Sequence, residues 1–382
     1  MRIAHVSDCY LPRTGGIETQ VRALALQQQA RGDDVVVITA TPDGRPSGSR
    51  VLDGLRVERI SMRTPGDLPI HVRGGAHLRR TLAAVDPEVV HVHVGVVSPF
   101  AWSAVRAACR LGLPTVVTVH CIWGPIAGVA YRLSDMLLHW SRWGAVLSAV
   151  SRVAALRVER VVRGSGRVDV VPNGIDRHEW PTSVPDAHTP LVAVSVMRLA
   201  PRKRLGALMA ILARAGAELA AGSVSDGAAP CSLRAIIVGD GPQRIRAVER
   251  ARRKGLPITF TGRLSADEIR RIFSGADLFV QPSVKEAFGL AALEARTCGL
   301  PVLIRSASGS TEFVRDGVEG FVAASDDEMV RVIVEAARHP EMLEPVRAHN
   351  MTTAPRSTWP GVLRQLDEVY RRAATRCLGE RD

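Results

Sequence analysis

The chain has 382 residues, about twice the usual length of one domain, so two domains are expected. Apolar residues make up 46% and charged residues 23% of it, a globular composition that excludes a wholly disordered chain. Fifty Lys and Arg against 38 Asp and Glu leave a formal net charge of +12. This charge favours anionic partners such as nucleotides, phosphates, acidic lipids or nucleic acids, without choosing between them.

The six cysteines stand far apart, at positions 9, 109, 121, 231, 298 and 377, with no C-x-x-C pair. This spacing is typical of free thiols in a reducing compartment and disfavours a disulfide framework or a zinc site. The N-terminus shows no charged segment followed by a long apolar one, and no run of 18 apolar residues occurs. We therefore expect a soluble, cytoplasmic protein without a secretory signal or a spanning helix.

Short β-branched runs alternate with helical patterns along the first half of the chain, which is typical of a parallel α/β domain. Strands are predicted over 3–7, 35–39, 57–60, 89–94, 115–119, 145–150 and 168–171. Helices are predicted over 18–31, 75–85, 98–111, 126–142 and 151–163. Because these strands are continuously apolar, both faces of their sheet should be buried.

The same alternation restarts after a stretch rich in Pro, His and Asp at 180–190, which predicts a linker. Strands are predicted over 192–196, 235–238, 258–261, 278–281 and 302–304, and helices over 204–217, 242–254, 266–275, 289–297 and 326–338. A Gly/Ala/Ser-rich stretch at 220–231 predicts a surface loop. The sequence thus predicts domains at 1–180 and 181–349, followed by a C-terminal helical segment at 350–382.

Two glutamates eight residues apart follow the predicted strand 278–281, Glu286 in the loop and Glu294 in the next helix. Open parallel sheets bind ligands outside the carboxyl ends of their strands. The N–H groups of Phe288, Gly289 and Leu290 would be unpaired donors at the helix N-terminus, suited to a diphosphate. The carboxylates could accept from sugar and ribose hydroxyls. On spacing alone, two solvated surface carboxylates are the alternative.

Cations and glycines follow the first predicted strand of each domain. Arg198 and Lys203 would stabilise the negative charge of a departing nucleoside diphosphate, unless they only form a solvated basic turn. Gly15 and Gly16 would let backbone amides approach phosphate and sugar, unless they only make a tight turn.

Taken together, these residues resemble the retaining glycosyltransferases of family 4, which have the GT-B fold. The pattern Glu286-x7-Glu294 after a strand and Pro-Ser, with Gly299-Leu-Pro301-Val behind it, is the hallmark. The resemblance covers nearly the whole chain through an ordered set of motifs: Pro12-Arg-Thr-Gly15-Gly16-Ile-Glu18, Val90-His91-Val-His93, Thr118-Val-His120, Val171-Pro-Asn173-Gly174-Ile-Asp176, Met197-Arg198-Leu-Ala-Pro201-Arg-Lys203, Gly239-Asp-Gly241-Pro, Phe260-Thr-Gly262 and Arg315-Asp316-Gly317-Val-Glu-Gly320. Each motif alone is weak, and the ordered set is strong.

The resemblance implies two Rossmann-like parallel α/β domains that face each other across a deep cleft, with the last helix crossing back to the first domain. It implies a retaining enzyme that moves a hexosyl unit from a UDP- or GDP-sugar to an acceptor hydroxyl, with no metal ion and no other cofactor. Transfer would occur on the front face, where the leaving phosphate helps to deprotonate the incoming hydroxyl. The protein then contributes positioning and electrostatics.

The resemblance also gives the motif residues expected roles. Arg198 and Lys203 would bind the donor diphosphate, Glu286 the sugar and Glu294 the ribose. Where family members often carry Gly after the lysine, this chain has Arg204.

Three further positions are expected near the donor. Gly241 would lie close to it, and the loop at Arg263 and Leu264 would contact the nucleobase through its backbone. His120 would hydrogen-bond a sugar hydroxyl, with a buried core histidine as the alternative. The expected catalytic set is therefore His120, Arg198, Lys203 and Glu286.

Other site chemistries find less support. His91 and His93 share one face of a strand, and histidines at i and i+2 can bind a metal, but no third ligand is evident and no metal site is predicted. Gly239-Asp-Gly241 lacks the third glycine of a dinucleotide fingerprint, with Arg244 in its place. Neither a nucleophile elbow nor a P-loop occurs.

Two other classes stay open as alternatives. A GT-B-shaped epimerase or phosphorylase would share the two-domain cleft, and a phosphorylase would need pyridoxal phosphate on a lysine. A nucleic-acid-binding protein could use the +12 charge, but aromatic residues are only 4% of the chain and no RNA-binding aromatic motif occurs. No specific nucleic-acid partner is expected.

Basic and apolar residues at 71–82 and 131–143 suggest an interfacial surface. We hypothesise peripheral contact with anionic membrane, at its inner face, and a lipid-linked acceptor. An ordinary core-packing helix with solvated arginines is the alternative.

Overall fold

The structure is a computed structural model that describes residues 1–62, 74–162, 167–183, 189–225 and 232–379. Its contacts divide the chain into two units. Unit 1 joins Met1–Gly174 to the C-terminal segment that begins at Trp359, and unit 2 is Ile175–Thr358.

The boundaries between the units fall at 174/175 and 358/359, rather than at the predicted 180/181 and 349/350. The reason is that residues 175–180 and 350–358 both belong to unit 2, where they form hydrogen bonds. The Ile175 N–H donates to the Ser357 carbonyl at 3.0 Å. The Asn350 amide donates to the carbonyls of Leu300 and Glu319, at 3.3 and 2.9 Å. Residues 350–358 therefore belong with the second sheet.

Unit 1 is built on an eight-stranded sheet in the order β3-β4-β2-β1-β5-β6-β7-β8. Its strands are β1 Arg2–Ser7, β2 Asp34–Thr39, β3 Gly48–Leu52, β4 Leu55–Arg59, β5 Val89–Val94, β6 Thr115–Val119, β7 Val146–Ala149 and β8 Asp169–Val170. All neighbours pair in parallel except β3 and β4, which form an antiparallel edge pair that the sequence did not predict.

Helices cover both faces of this sheet because its strand residues alternate between two apolar cores. The helices are α1 Gly16–Ala30, α2 Gly74–Val85, α3 Pro99–Arg110, α4 Pro125–Leu138, α5 Arg152–Glu159 and α12 Trp359–Gly379. Residues of α2, α3 and α5 pack on one face. Residues of α1 and α12 pack on the other, against Ile3, Val89 and Val116.

Unit 2 is built on a six-stranded, wholly parallel sheet in the order β11-β10-β9-β12-β13-β14. Its strands are β9 Leu191–Val196, β10 Leu233–Val238, β11 Ile258–Gly262, β12 Leu278–Gln281, β13 Val302–Arg305 and β14 Gly320–Ala323. Its helices are α6 Leu205–Ser225, α7 Arg244–Arg253, α8 Ala266–Ser274, α9 Leu290–Thr297, α10 Asp326–Arg338 and α11 Glu344–Thr352.

Two predictions on unit 2 differ from the structure. Strand β14 was not predicted, and helix α6 continues to Ser225 through the first half of the predicted loop at 220–231. The second half of that loop, 226–231, lies outside the described residues.

Both sheets have the doubly wound strand order, in which the first and fourth parallel strands are neighbours and the chain leaves them in opposite directions. In unit 2 these strands are β9 and β12, and in unit 1 they are β1 and β5. The loops that follow these strands are where such sheets bind ligands, and they carry most of the predicted site residues.

Candidate active site

The loops that follow β9 and β12 bring together two side chains predicted to bind the donor. Lys203 and Glu286, 83 residues apart, form an ion pair through Nζ and Oε2. The Ser283 hydroxyl donates to the Lys203 carbonyl at 3.2 Å and ties the two loops together. Arg198 lies on the same β9 loop with its side chain exposed. The predicted cations and the sugar-binding carboxylate are thus collected at one end of the sheet.

Arg204 fixes the shape of this turn, a role that the sequence analysis missed. Its backbone is left-handed at φ 59°. Its guanidinium makes two bonds to the Asp326 carboxylate, at 2.9 and 2.7 Å, and one to the Pro282 carbonyl at 3.0 Å. Arg305 pairs with the same carboxylate. The residue that departs from the family pattern therefore connects the β9 loop, the β12 loop and the start of α10.

The loop between β12 and α9 is held in a conformation that requires glycine. Gly289 has φ +93°, and a Cβ atom built on it would lie 2.1 Å from Ser310 Oγ. That hydroxyl reaches both Gln281 Oε1 at 2.7 Å and the Phe288 carbonyl at 2.9 Å. Because Gly289 directly precedes α9, the first amides of this helix have no intrahelical acceptor, as the predicted anion site requires.

Glu294 lies in the second turn of α9 and is half-buried. Burial, and then the nearby charge of Glu179, raise its pKa to about 7. A carboxyl group that titrates near neutrality can donate or accept a hydrogen bond, which suits it to a diol.

Gly241 has a structural role that the sequence analysis did not assign. Cβ atoms built on Gly239 and Gly241 would lie 1.9 and 2.5 Å from the carbonyl oxygens of Met197 and Leu199. Both glycines have positive φ, +129° and +157°. The backbone of the β10 loop can therefore lie directly on the β9 loop.

The predicted nucleobase loop adjoins these residues. The Gly239 N–H donates to the Gly262 carbonyl at 2.7 Å, next to Arg263 and Leu264. The Arg263 side chain is exposed and that of Leu264 is half-buried. The loops after β9, β10 and β11 thus form one continuous backbone surface beside Arg198.

The remaining predicted residues lie in unit 1. Helix α1 begins at Gly16, with Gly15 in an extended conformation before it. A Cβ atom built on Gly15 would lie 2.6 Å from the buried carboxylate of Glu18. This carboxylate, which pairs with Arg13 at 3.7 Å, therefore lies beside the amides that were predicted to approach phosphate.

His120 follows β6, is half-buried, and is joined to His93 by a hydrogen bond of 2.9 Å. Burial lowers its pKa to about 4, so the ring is neutral at physiological pH.

The structure adds a third histidine to the predicted pair. His5 on β1 stands opposite His91 in the strand register, and ligand atoms of His5, His91 and His93 all lie within 4.8 Å of one another. Each ring nitrogen of the three already has a protein hydrogen-bond partner: Gln28, Thr118, His120, Tyr370 or another of the three. The cluster is therefore a hydrogen-bonded network of the described residues.

Comparison with known proteins identifies the family. Residues 14–179 match Glycosyltransferase Family 4, and residues 176–349 match Glycosyl transferases group 1. The chain is 31% identical to a GDP-mannose-dependent alpha-mannosyltransferase of Mycolicibacterium smegmatis, over 97% of both chains. It is 26% identical to a phosphatidylinositol N-acetylglucosaminyltransferase of Arabidopsis thaliana, over 98% of this chain and 82% of that one.

The fold has solved counterparts. The Anabaena protein HepE, crystallised with UDP-glucose, superposes with a TM-score of 0.73 at 19% identity, over 98% of this chain and 100% of that one. This likeness confirms the predicted GT-B fold. The part of the chain that the structure describes contains no helix that is long and apolar enough to cross a membrane.

These findings confirm the predicted transfer of a glycosyl unit from a nucleotide sugar and give no support to an epimerase, a phosphorylase or a nucleic-acid-binding protein. The full-length identity and the two matched domains show that the chain belongs to the family 4 glycosyltransferases, enzymes of the GT-B fold.

Proposed function

We propose that this enzyme transfers a mannosyl unit from GDP-mannose, with retention of configuration, to a hydroxyl of a lipid-linked acceptor. One observation carries the choice of donor: the 31% identity, over 97% of both chains, to a GDP-mannose-dependent alpha-mannosyltransferase. A further relative with the same name is 29% identical over 82% of this chain. Relatives named for phosphatidylinositol support a lipid acceptor.

In this proposal the donor diphosphate binds at the end of the unit 2 sheet. Arg198 and Lys203 supply positive charge, and the first amides of α9 supply hydrogen-bond donors. As the bond to the sugar breaks, negative charge grows on the leaving phosphate, and these groups stabilise it. Lys203 also orients Glu286 through their ion pair, so that Glu286 can accept from a sugar hydroxyl.

The two ends of the donor are held by other residues. Glu294 hydrogen-bonds the ribose diol, and the backbone beside Gly241, Arg263 and Leu264 contacts the base. In unit 1, His120, Gly15 and Gly16 are proposed to bind hydroxyl groups of a sugar or of the acceptor. The departing phosphate oxygen takes the proton of the acceptor hydroxyl, so the protein needs no nucleophile of its own.

A donor experiment tests this assignment directly. The purified enzyme is incubated with radiolabelled GDP-mannose, UDP-glucose or UDP-N-acetylglucosamine and a lipid extract. We expect label only from GDP-mannose, in a product that α-mannosidase cleaves, because the donor is α-linked and the reaction retains that configuration. Label from UDP-N-acetylglucosamine alone would refute the mannosyl assignment and favour the activity named for the Arabidopsis relative.

A matched pair of variants tests the diphosphate site. Arg198→Ala should lower kcat about 100-fold, since it removes one fixed cation from the transition state. Arg202→Ala removes an equally exposed arginine from the same turn and should change kcat by less than about twofold. Equal effects of the two changes would contradict the site.

The acceptor proposal rests on the outer face of α4. Six large apolar side chains of this helix are exposed, from 52% to 88%, namely Ile126, Val129, Leu133, Met136, Leu137 and Leu138. Monomeric proteins rarely expose a contiguous apolar stripe of this kind without a partner. The exposed arginines at 106, 110, 132 and 142 lie on or near this helix and suit an anionic membrane.

This surface differs from the predicted one. Trp140 and Tyr131 pack inward on the Trp123 ring, with the Trp123–Tyr131 centroids 3.9 Å apart, so they do not face an interface. In the segment 71–82, residues 71–73 lie outside the described residues. Leu78 and Leu82 are buried in the core, as in the core-packing alternative, while Arg79 is exposed.

Vesicle co-sedimentation tests membrane contact. The enzyme should sediment with vesicles that contain phosphatidylglycerol, and less with pure phosphatidylcholine or at high salt. The double change Ile126→Ser and Leu137→Ser should reduce binding at least about tenfold, because it removes two exposed apolar side chains. Val51→Ser, which removes a 76%-exposed valine from β3, is the control. Unchanged binding of the α4 variant would refute this surface.

A further inference from the structure

One face of the unit 1 sheet carries a row of polar side chains among its core residues. Because side chains alternate between the two faces of a strand, these polar residues point into the same core as their apolar neighbours. His5, His91, His93 and Thr118 point to the same side as Ile3, Val89 and Val116, towards α1 and α12. Gln28 of α1 and Tyr370 of α12 meet them there. All six of these polar residues are buried, so their hydrogen bonds must be satisfied among themselves.

The network forms one unbranched path of nine groups with contacts of 2.6 to 3.3 Å. In order, the path runs His120–His93–His5–Gln28–Tyr370–His91–Thr118–Ser148–Val117 carbonyl, with the separations 2.9, 3.0, 2.6, 3.1, 2.9, 2.7, 2.7 and 3.3 Å. Burial lowers the pKa of His5 and His120 to about 4, and those of His91 and His93 well below 6.5. Every histidine on the path is therefore neutral, with one N–H and one lone pair.

The direction of the path follows from its last group. A carbonyl can only accept, so we assign the single hydroxyl proton of Ser148 to its 3.3 Å bond with the Val117 carbonyl, and Ser148 then accepts from Thr118. Thr118 has then used its proton, so His91 Nε2 carries hydrogen and His91 Nδ1 accepts. Tyr370 must supply the hydrogen for that nitrogen.

The directions of the remaining hydrogen bonds, from Tyr370 to His120, follow in the same way. Because Tyr370 donates to His91, it accepts from the Gln28 NH₂ group, which turns Gln28 Oε1 towards His5. His5 Nε2 then carries hydrogen and His5 Nδ1 accepts from His93 Nε2. His93 Nδ1 in turn accepts from His120 Nε2. Each step has only one solution once the previous one is set.

We infer that this path fixes His120 as the neutral Nε2–H tautomer, with the Nδ1 lone pair as its single remaining hydrogen-bonding function. His120 is then an obligate acceptor, and it recognises a hydroxyl that donates to it, a discrimination that a freely tautomerising histidine would lack. Gln28, Tyr370 and Thr118 are positioning residues that act through the histidines. The link to a substrate hydroxyl rests on the proposed function, whereas the tautomer itself does not.

Nitrogen-15 NMR of the ligand-free enzyme, labelled at histidine, tests the tautomer. His120 should show a protonated Nε2 and an unprotonated Nδ1, with the resonance assigned by comparison with His120→Asn. Thr118→Val removes the hydrogen-bond acceptor for His91 Nε2. The direction of each hydrogen bond from His91 to His120 is then no longer fixed, so His120 should become a mixture of tautomers. Thr118→Ser keeps the hydroxyl and should preserve the wild-type pattern.

A second variant guards against loss of folding. Tyr370→Phe also cuts the path and should give the same tautomer mixture. Tyr131→Phe, which removes a phenol bonded to Val96 and Trp102 outside the path, should not. Thermal unfolding of all four variants shows that the compared proteins are folded.

Kinetics then connects the tautomer with the substrate. Thr118→Val should lower kcat/KM for GDP-mannose about threefold to tenfold, the range expected for one weakened hydrogen bond, and Thr118→Ser should restore it. A wild-type His120 protonated at Nδ1, or a tautomer that Thr118→Val leaves unchanged, would overturn the inference. Absence of turnover with GDP-mannose would instead refute the proposed donor, while the NMR result would stand.

Discussion

Acid should selectively unfold unit 1, because its four clustered histidines are neutral in the fold and become charged when the chain unfolds. An unfolded histidine binds its proton near pH 6.5, whereas His5 and His120 bind theirs only near pH 4 when folded. Below pH 6.5 the unfolded state therefore holds more protons than the folded state. The free energy of unfolding is at its full value above this pH and falls as the pH drops from 6.5 towards 4.

The size of the effect follows from the two pKa values. Between pH 7 and pH 5, a histidine shifted from 6.5 to about 4 lowers the free energy of unfolding by about 2 kcal/mol. Burial also lowers the pKa values of His91 and His93 well below 6.5, so these two residues act in the same direction. Asp8 opposes them, because burial raises its pKa to about 6 and the folded state takes up a proton first, which adds about 1 kcal/mol to the free energy of unfolding.

His5 and His120, less the contribution of Asp8, leave a net loss for unit 1 of about 2 to 3 kcal/mol before His91 and His93 add to it, a large part of the stability of a typical domain. Unit 2 contains a carboxyl group that has the opposite effect on stability. Glu294, with its pKa raised to about 7, gains a proton in the fold over the same interval and contributes about 2 kcal/mol of added stability. The two units should therefore separate into distinct unfolding transitions as the pH falls.

Urea unfolding at pH 7, 6 and 5, followed by tryptophan fluorescence and by limited proteolysis, measures this separation. Fragments from unit 1 should appear at progressively lower urea as the pH drops. His139→Asn is the control, because it removes an exposed histidine of unit 1 and asparagine tolerates the left-handed backbone there. A free energy of unfolding for unit 1 that changes by less than about 1 kcal/mol from pH 7 to 5 would show that these histidines are not buried and neutral.

Three further predictions concern unit 2. Gly289→Ala should lower the free energy of unfolding of unit 2 by more than about 2 kcal/mol, measured by thermal or urea unfolding. Gly317 also has positive φ but lies in open space, so Gly317→Ala should lower it by only about 1 kcal/mol. Arg204→Lys should lower kcat by disordering the β9 loop. Arg214→Lys, which changes an exposed ion pair, is the control, and an equal kcat in the two variants would count against this role of Arg204. Donor KM should fall as the pH rises through about 7, where Glu294 ionises, and Glu294→Gln should abolish this dependence.

The sequence predicted most of the strands because continuous apolar runs identify buried parallel strands. It missed β3 and β14 for different physical reasons. β3 is an edge strand whose side chains are largely exposed, so it has no apolar pattern. β14 begins at Gly320, where a Cβ atom would lie 2.0 Å from the Val302 carbonyl. That glycine is imposed by its neighbour in the sheet, which the local sequence does not reveal.

The candidate site shows the same limit. The family motifs predicted that Lys203 and Glu286 bind the donor, but their direct ion pair depends on the adjacency of β9 and β12. His5 stands in an ordinary apolar strand, and only the register with β5 places it opposite His91. Gln28 and Tyr370 carry no local signal at all, because their role arises from two helices that meet on one sheet face. The motifs thus predicted the reaction class, whereas the contacts between these side chains depend on the tertiary structure.

The late return of the chain to unit 1 has a consequence for synthesis on the ribosome. The sheet face that carries the histidines is closed by α12, whose residues Trp359, Leu366 and Tyr370 complete that core. Unit 2, by contrast, is complete once Thr358 has emerged. The middle of the nascent chain can therefore finish folding before its beginning, because the first sheet has one apolar face that α1 covers only in part until α12 leaves the exit tunnel.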